Sequence, residues 1–174
     1  MVRGALQARA GAIGRGPRSG VLVIPAISVI AGSTFALLPV VSETGWAPDF
    51  GFLMLIAWRL LRGDAWPAWW AAPLGFVNDL IVGSPIGQSI ALWSGVMLLL
   101  DLADQRTLWR DYWVEWLLAA VLILLSEWFG WRIAAWSGAR VPFSAMAPAV
   151  LISVIAFPLA GGVVHRLDRW RLRQ

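Results

Sequence analysis

The run VLVIPAISVIAGSTFALLPVV, from Val21 to Val41, carries no charged side chain over 21 positions. At 1.5 Å per residue, a helix of that length covers about 30 Å, the thickness of a bilayer's hydrocarbon core. A cleaved signal peptide has a shorter apolar stretch and small residues at its cleavage site, which the bulky ending Leu37-Leu38-Pro39-Val40-Val41 does not supply. The run therefore predicts a retained membrane-spanning helix. The whole chain agrees, being 59% hydrophobic and 14% charged with a mean hydropathy of +0.71. So few charges, clustered as they are, cannot cover a water-soluble core.

Upstream, residues 1–20 hold Arg3, Arg9, Arg15 and Arg18 with no acid, and read as a flexible basic tail at the lipid headgroups. Their glycines lack the preceding strand and the following Gly-Lys-Ser/Thr of a phosphate-cradling loop. Downstream, five more apolar stretches follow at about 48–61, 65–82, 86–102, 113–131 and 145–164, and a basic tail closes the chain at 166–174. The second is short and contains Arg59, the third contains Asn78 and Asp79, and the fifth contains Glu115 and Glu127. The expectation is an all-α integral membrane protein, a six-helix transmembrane bundle over 21–165 with both termini cytoplasmic.

Charge distribution tests that count, because cytoplasmic loops hold an excess of Arg and Lys. All 14 basic residues are Arg; with both ends inside, 12 of them fall in inner segments and only Arg132 and Arg140 in outer ones. Merging the second and third stretches would instead bury Arg59, Arg62 and Asp64 in lipid. Tryptophan prefers the headgroup level, and 12 of the 13 lie near predicted span ends; Trp93 alone falls mid-span.

Cysteine is absent and the single histidine is His165, so thiol chemistry, disulfides and His- or Cys-rich metal sites are excluded and no metal or cofactor is expected. A Ser-His-Asp triad would have to use a histidine beside the basic tail. The net charge of +4 sits in short Arg clusters between apolar runs, which membrane orientation explains without nucleic acid.

Candidate site residues concentrate around the third and fourth stretches. Gly83, Gly87, Ala91 and Gly95 recur every four residues, as do Ser28, Gly32 and Ala36 on the first, and small residues on one helix face allow close packing in lipid. That predicts stripes packed inside the bundle or against another protein, not facing lipid. Asp79 follows 14 uncharged residues, and a carboxylate there either caps turn amides in the segment 79–85 or contacts a partner or ligand. Glu127 reads as an interface residue snorkelling to water or pairing with Arg132; nothing in the spacing makes it a catalytic partner of Asp79. Asp101, Asp104, Asp111 and Glu115, interspersed with Arg106 and Arg110, read as a solvated, salt-bridged loop or a docking surface. No polar cluster is expected to converge within the spans.

The stretch from Gly75 to Gln88, GFVNDLIVGSPIGQ, resembles the signature of the MreD family of bacterial rod shape-determining membrane proteins: a Gly, an Asp-Leu pair, then Gly-x-Pro-x-Gly. The likeness extends to the basic N-terminal tail, the long first span, Pro48 opening a short second span that ends Arg59-Leu60-Leu61-Arg62, and the Arg-rich end. The segment Leu102-Ala103-Asp104-Gln105-Arg106 resembles the alphaproteobacterial branch. Asn78 departs from the family, many of whose members have an apolar residue or Asp there. Gly75 and Pro85 of this signature join Asp79, Gly83, Gly87, Ala91 and Gly95 as the candidate structural or partner-interface residues, and the resemblance brings no catalytic residues.

What the resemblance implies is a non-enzymatic inner-membrane scaffold of the cell-wall elongation machinery, working with MreC, the actin-like MreB, the glycosyltransferase RodA and a class B penicillin-binding protein. The family's helix arrangement is also similar to that of membrane substrate-binding subunits of vitamin transporters, which gives an alternative function.

Overall fold

The computed structural model describes residues 19–38, 48–63, 66–104, 112–138 and 142–171. These form six α-helices: α1 Ser19–Thr34, α2 Phe50–Leu61, α3 Ala71–Val82, α4 Gln88–Asp104, α5 Tyr112–Trp136 and α6 Ala147–Arg171. Short 3-10 turns follow α1 and precede α3 and α6, and the described residues contain no strand. Among the described residues, Trp113–Trp136 and Phe143–Arg171 are the two helices long and apolar enough to cross a membrane by themselves, with mean hydropathies of 1.6 and 2.1.

The centre of the molecule is α2, the shortest of the six together with α3 at 12 residues. Asp49 starts it by accepting the Phe52 N–H at 2.9 Å, just after Pro48, and the chain turns extended at Arg62 to end it. Every residue from Gly51 to Leu60 is buried, which is possible only because α1, α4, α5 and α6 all pack around it. Trp58, Trp93, Phe52, Leu55 and Met97 fill the space between these helices. The exterior is the apolar side of the other helices, with Leu98, Leu117, Leu151, Ile155 and Leu159 all more than half exposed. An apolar interior beneath an apolar surface is what burial in lipid requires.

Close backbone approach explains two small residues. A Cβ on Gly75 would lie 2.7 Å from the Ser89 carbonyl oxygen, so α3 and α4 touch through that glycine. A Cβ on Gly32 would lie 2.8 Å from the Phe50 carbonyl oxygen, at the contact of α1 with α2. On the same face of α1, Ser28 accepts the Trp58 indole N–H at 2.8 Å.

Three sequence expectations change here. Trp58 does lie in the last turn of its helix, but it is fully buried in the core and not at the headgroups, and Ser28 gives its N–H a partner there. The basic tail at 166–174 is helical through Arg171, the last described residue, because Asp168 neutralises arginines that would otherwise remain outside the bundle. Asp101 belongs to no solvated loop; its partner is the buried Arg59 across the bundle. Arg106, Arg110 and Asp111 lie outside the described residues, as do the tail 1–18 and the outer arginine Arg140.

Candidate functional site

Asp79 organises the end of the bundle where α3 turns into α4. It is 1% exposed, and its carboxylate accepts the Ser84 hydroxyl at 2.7 Å, the Gly87 N–H at 2.8 Å and the Ser89 N–H at 2.9 Å. The turn between the helices lets it do so. Gly83 and Gly87 both adopt positive φ, at 74° and 103°, a conformation that costs residues with a Cβ more than it costs glycine. Pro85 between them supplies its carbonyl to the Gln88 N–H at 3.0 Å and so opens α4. The Asp79 side chain satisfies N–H groups at the start of α4 that have no partner within that helix.

The signature residues thus fall into three places. Asp79, Gly83, Pro85 and Gly87 build one turn, and Gly75 forms the contact between α3 and α4. Ala91 and Gly95 lie on a side of α4 that no described residue covers: Ala91 is exposed and a Cβ on Gly95 would meet no described atom within 4 Å. The four-residue stripe is therefore corrected. Gly83 and Gly87 precede the helix, and the remaining small residues do not pack inside the bundle.

Next to Asp79 a polar cluster does converge, against the expectation from sequence. Asn78 is 2% exposed and donates its Nδ2 hydrogen to Ser89 Oγ at 3.0 Å, while no donor among the described residues reaches its Oδ1. Gly51 lies beneath it: a Cβ there would collide with Ser33 Oγ and lie 3.1 Å from Asn78 Oδ1 and 3.3 Å from Asp49 Oδ1. Asp49, Asp79 and Glu127 interact electrostatically at this end. Beside them a cavity of about 400 Å³ is lined by Pro85, Gln88, Glu127, Trp131 and Ser137 among others. Arg132 does not pair with Glu127; its guanidinium lies 5.9 Å from the centres of the Trp131 and Trp136 rings.

The opposite end is held by arginines. Arg59, 8% exposed, bonds the Gly63 carbonyl and pairs with Asp101 of α4. Asp168, 1% exposed, sits between Arg62 at 2.6 Å and Arg171 at 2.7 Å, by charge contact and not by aligned hydrogen bonds. Arg171 in turn lies over the Trp58 ring, 5.5 Å from its centre. A smaller cavity of about 220 Å³ opens beside Arg62, Glu115, His165 and Asp168. Among the described residues no group of three or more His, Cys, Asp or Glu is arranged to hold a metal ion.

The family model of the rod shape-determining protein MreD matches residues 18–159. The chain belongs to the MreD family. That family consists of bacterial membrane proteins concerned with rod shape. No curated relative and no solved structure matches the chain. Within the matched region lie Asp49, Asn78 and the whole Asp79 turn, whereas Asp168 and Arg171 fall beyond it.

Asp49 and Asp168 carry much of the architecture and were not singled out from sequence. An Asp directly before an apolar run is a helix-start signal and identifies Asp49. Asp168 gives no such signal, since it stands among Arg166, Arg169 and Arg171.

Proposed function

We propose that this chain is a six-span protein of the bacterial inner membrane, with both termini cytoplasmic, that acts as a non-enzymatic scaffold of cell-wall elongation. In this reading it binds MreC and couples peptidoglycan synthesis to MreB filaments, with RodA and a class B penicillin-binding protein in the same complex. Family membership supplies the link to rod shape. The observation that carries the scaffold reading is the uncovered side of α4. Ala91 and the open Gly95 lie on it, and Leu98, Leu99 and Leu102 of the same helix are more than half exposed. Small residues there would let a partner helix approach the backbone closely.

Gly95→Leu tests it, because the added side chain has free space within the chain and should leave the fold intact. Full MreC recovery and normal rod shape in that variant would remove α4 as the interface. Loss of both, with unchanged thermal stability, supports it. Topology is tested separately. The chain lacks cysteine, so single cysteines at Ser42 and Ala139 should label from the periplasm, and one at Thr107 only after permeabilisation.

The transport alternative gains one specific observation, the 400 Å³ cavity beside Gln88 and Glu127, which lies within the size range of small-ligand sites. Depletion separates the two readings. Rounded cells follow from losing a scaffold, whereas rod-shaped cells with a vitamin requirement follow from losing a transport subunit.

A further inference from the structure

A groove of about 680 Å³ runs between α1 and α6 over a floor of α2 that includes Met54. Its open side is covered by no described residue: Ile27, Phe35, Leu159 and Trp170 line it and are each more than half exposed. The lining is apolar from end to end. Ser28 supplies its one hydroxyl, and that group is occupied, accepting the Trp58 indole N–H at 2.8 Å and donating to the Pro25 carbonyl at 2.7 Å. A polar small molecule therefore finds no free hydrogen-bond partner along the walls, and hydrocarbon is the chemistry the groove fits. Its dimensions narrow the choice further. From Ile24 to Phe35 it follows α1 for about 17 Å, comparable to the roughly 15 Å of a single leaflet's hydrocarbon. A volume of about 680 Å³ over that length makes a channel roughly 7 Å across, which takes acyl chains but not a helix of about 10–12 Å with its side chains. The Phe35 and Phe50 rings, 5.5 Å apart, stand at its far end.

The near end, at Trp170, is basic. Trp58, bonded to Ser28 and lying under Arg171, fixes it as the end where α1 begins. Arg166 is one helical turn from both Val163 and Trp170 of the groove wall, and Arg169 is one turn from Arg166. Both arginines are exposed, and neither forms an ion pair among the described residues. The acids nearby are committed elsewhere: Asp168 to Arg62 and Arg171, Asp101 to Arg59, and Glu115 to the separate cavity of about 220 Å³ beside His165. Residues 1–18, which lead into α1 at the same end, add four arginines and no acid in sequence. Exposed arginines beside an indole at the mouth of a hydrocarbon groove match a phosphate headgroup. We propose that the groove between α1 and α6 holds the acyl chains of an acidic phospholipid, with its phosphate against Arg166, Arg169 and the Trp170 indole. This needs α1 and α6 in lipid but no particular protein partner, so it stands or falls apart from the scaffold reading.

The test is thermal unfolding of the full chain, delipidated in detergent, with long-chain phosphatidylglycerol titrated into the micelles. The lipid should raise the melting temperature saturably, on the order of 4 °C at ten times its dissociation constant. Phosphatidylcholine with the same chains should give a several-fold smaller shift, and dihexanoyl phosphatidylglycerol, which keeps the headgroup but not the chain length, almost none. Ala160→Phe fills the groove and should abolish the increment. Arg166→Gln combined with Arg169→Gln changes only exposed side chains and should bring phosphatidylglycerol down to the phosphatidylcholine level, which keeps the test decisive if Ala160→Phe does not fold. Equal shifts from the two long-chain lipids in the parent chain would overturn the acidic-headgroup assignment, and an increment that survives Ala160→Phe would overturn the groove. No shift with phosphatidylglycerol would overturn the site outright; if Ala160→Phe then also lost MreC, the groove would belong to a partner helix.

Discussion

The Asp79 carboxylate, on the last turn of α3, accepts the Ser89 N–H at 2.9 Å, so one helix carries the cap of the next. The same carboxylate holds Ser84 and Gly87. The turn, the start of α4 and the placement of α4's uncovered side are therefore set by a single side chain.

Replacing Asp79 should reveal how many of those bonds matter. Asp79→Leu leaves two backbone N–H groups and a hydroxyl without their acceptor and should destabilise the chain by about 3 kcal/mol, since each unsatisfied buried donor costs roughly 1–3 kcal/mol. Asp79→Asn keeps one oxygen and presents an amide nitrogen to another donor, so about 1 kcal/mol is expected. Thermal melting in detergent measures both. Equal stability of Asp79→Leu and the parent chain would contradict the capping role.

Two glycines should behave oppositely. Gly75→Ala forces a methyl to within 2.7 Å of the Ser89 backbone oxygen and should cost about 1–3 kcal/mol by prising α3 from α4. Gly95→Ala meets open space and should be neutral or slightly stabilising, because alanine is the better helix former. A melting comparison in which Gly95→Ala is the more damaging would reverse this assignment.

At the other end, Asp168→Ala removes the carboxylate that lies between the buried Arg171 and Arg62. Breaking a buried pair costs about 3–5 kcal/mol, and the 43% exposure of the Arg62 side chain lowers the expectation to about 2–3 kcal/mol. The double variant Asp168→Ala with Arg171→Leu should recover part of the loss. A double-mutant cycle reads the coupling directly, and additive losses would show that the contact contributes nothing.

Ser28→Ala removes the acceptor of the buried Trp58 N–H and should cost about 1–2 kcal/mol. Tryptophan fluorescence is a poor reporter among 13 indoles, so urea-dependent proteolysis of the purified chain is the better measurement.

Six apolar runs were readable because each helix is apolar around most of its circumference, a pattern that needs no knowledge of tertiary contacts. The turn was harder to read. Gly83, Gly87, Ala91 and Gly95 keep a four-residue period, but a glycine at positive φ stops a helix, and Pro85 between the first two marks that stop. The Asp79 bonds were partly legible, since an Asp shortly before a glycine-proline turn has local amides to accept. The Asp168 pairing and the convergence of Ser33, Asp49 and Asn78 join residues far apart in sequence. No local pattern encodes such meetings; they follow from how α1, α3 and α6 pack on α2.

The brevity of α2 has a consequence for its surroundings. Twelve residues span about 18 Å, against about 30 Å of hydrocarbon in a bilayer. On the proposed topology the central helix therefore falls about 12 Å short of the bilayer thickness, and the polar groups at its two ends, Asp49 at one and Arg59 and Arg62 at the other, must be sheltered by protein and not by lipid. The longer α5 and α6, at 25 residues each, are the walls that shelter them, so lengthening those helices would leave the centre unchanged whereas shortening them would expose its charges.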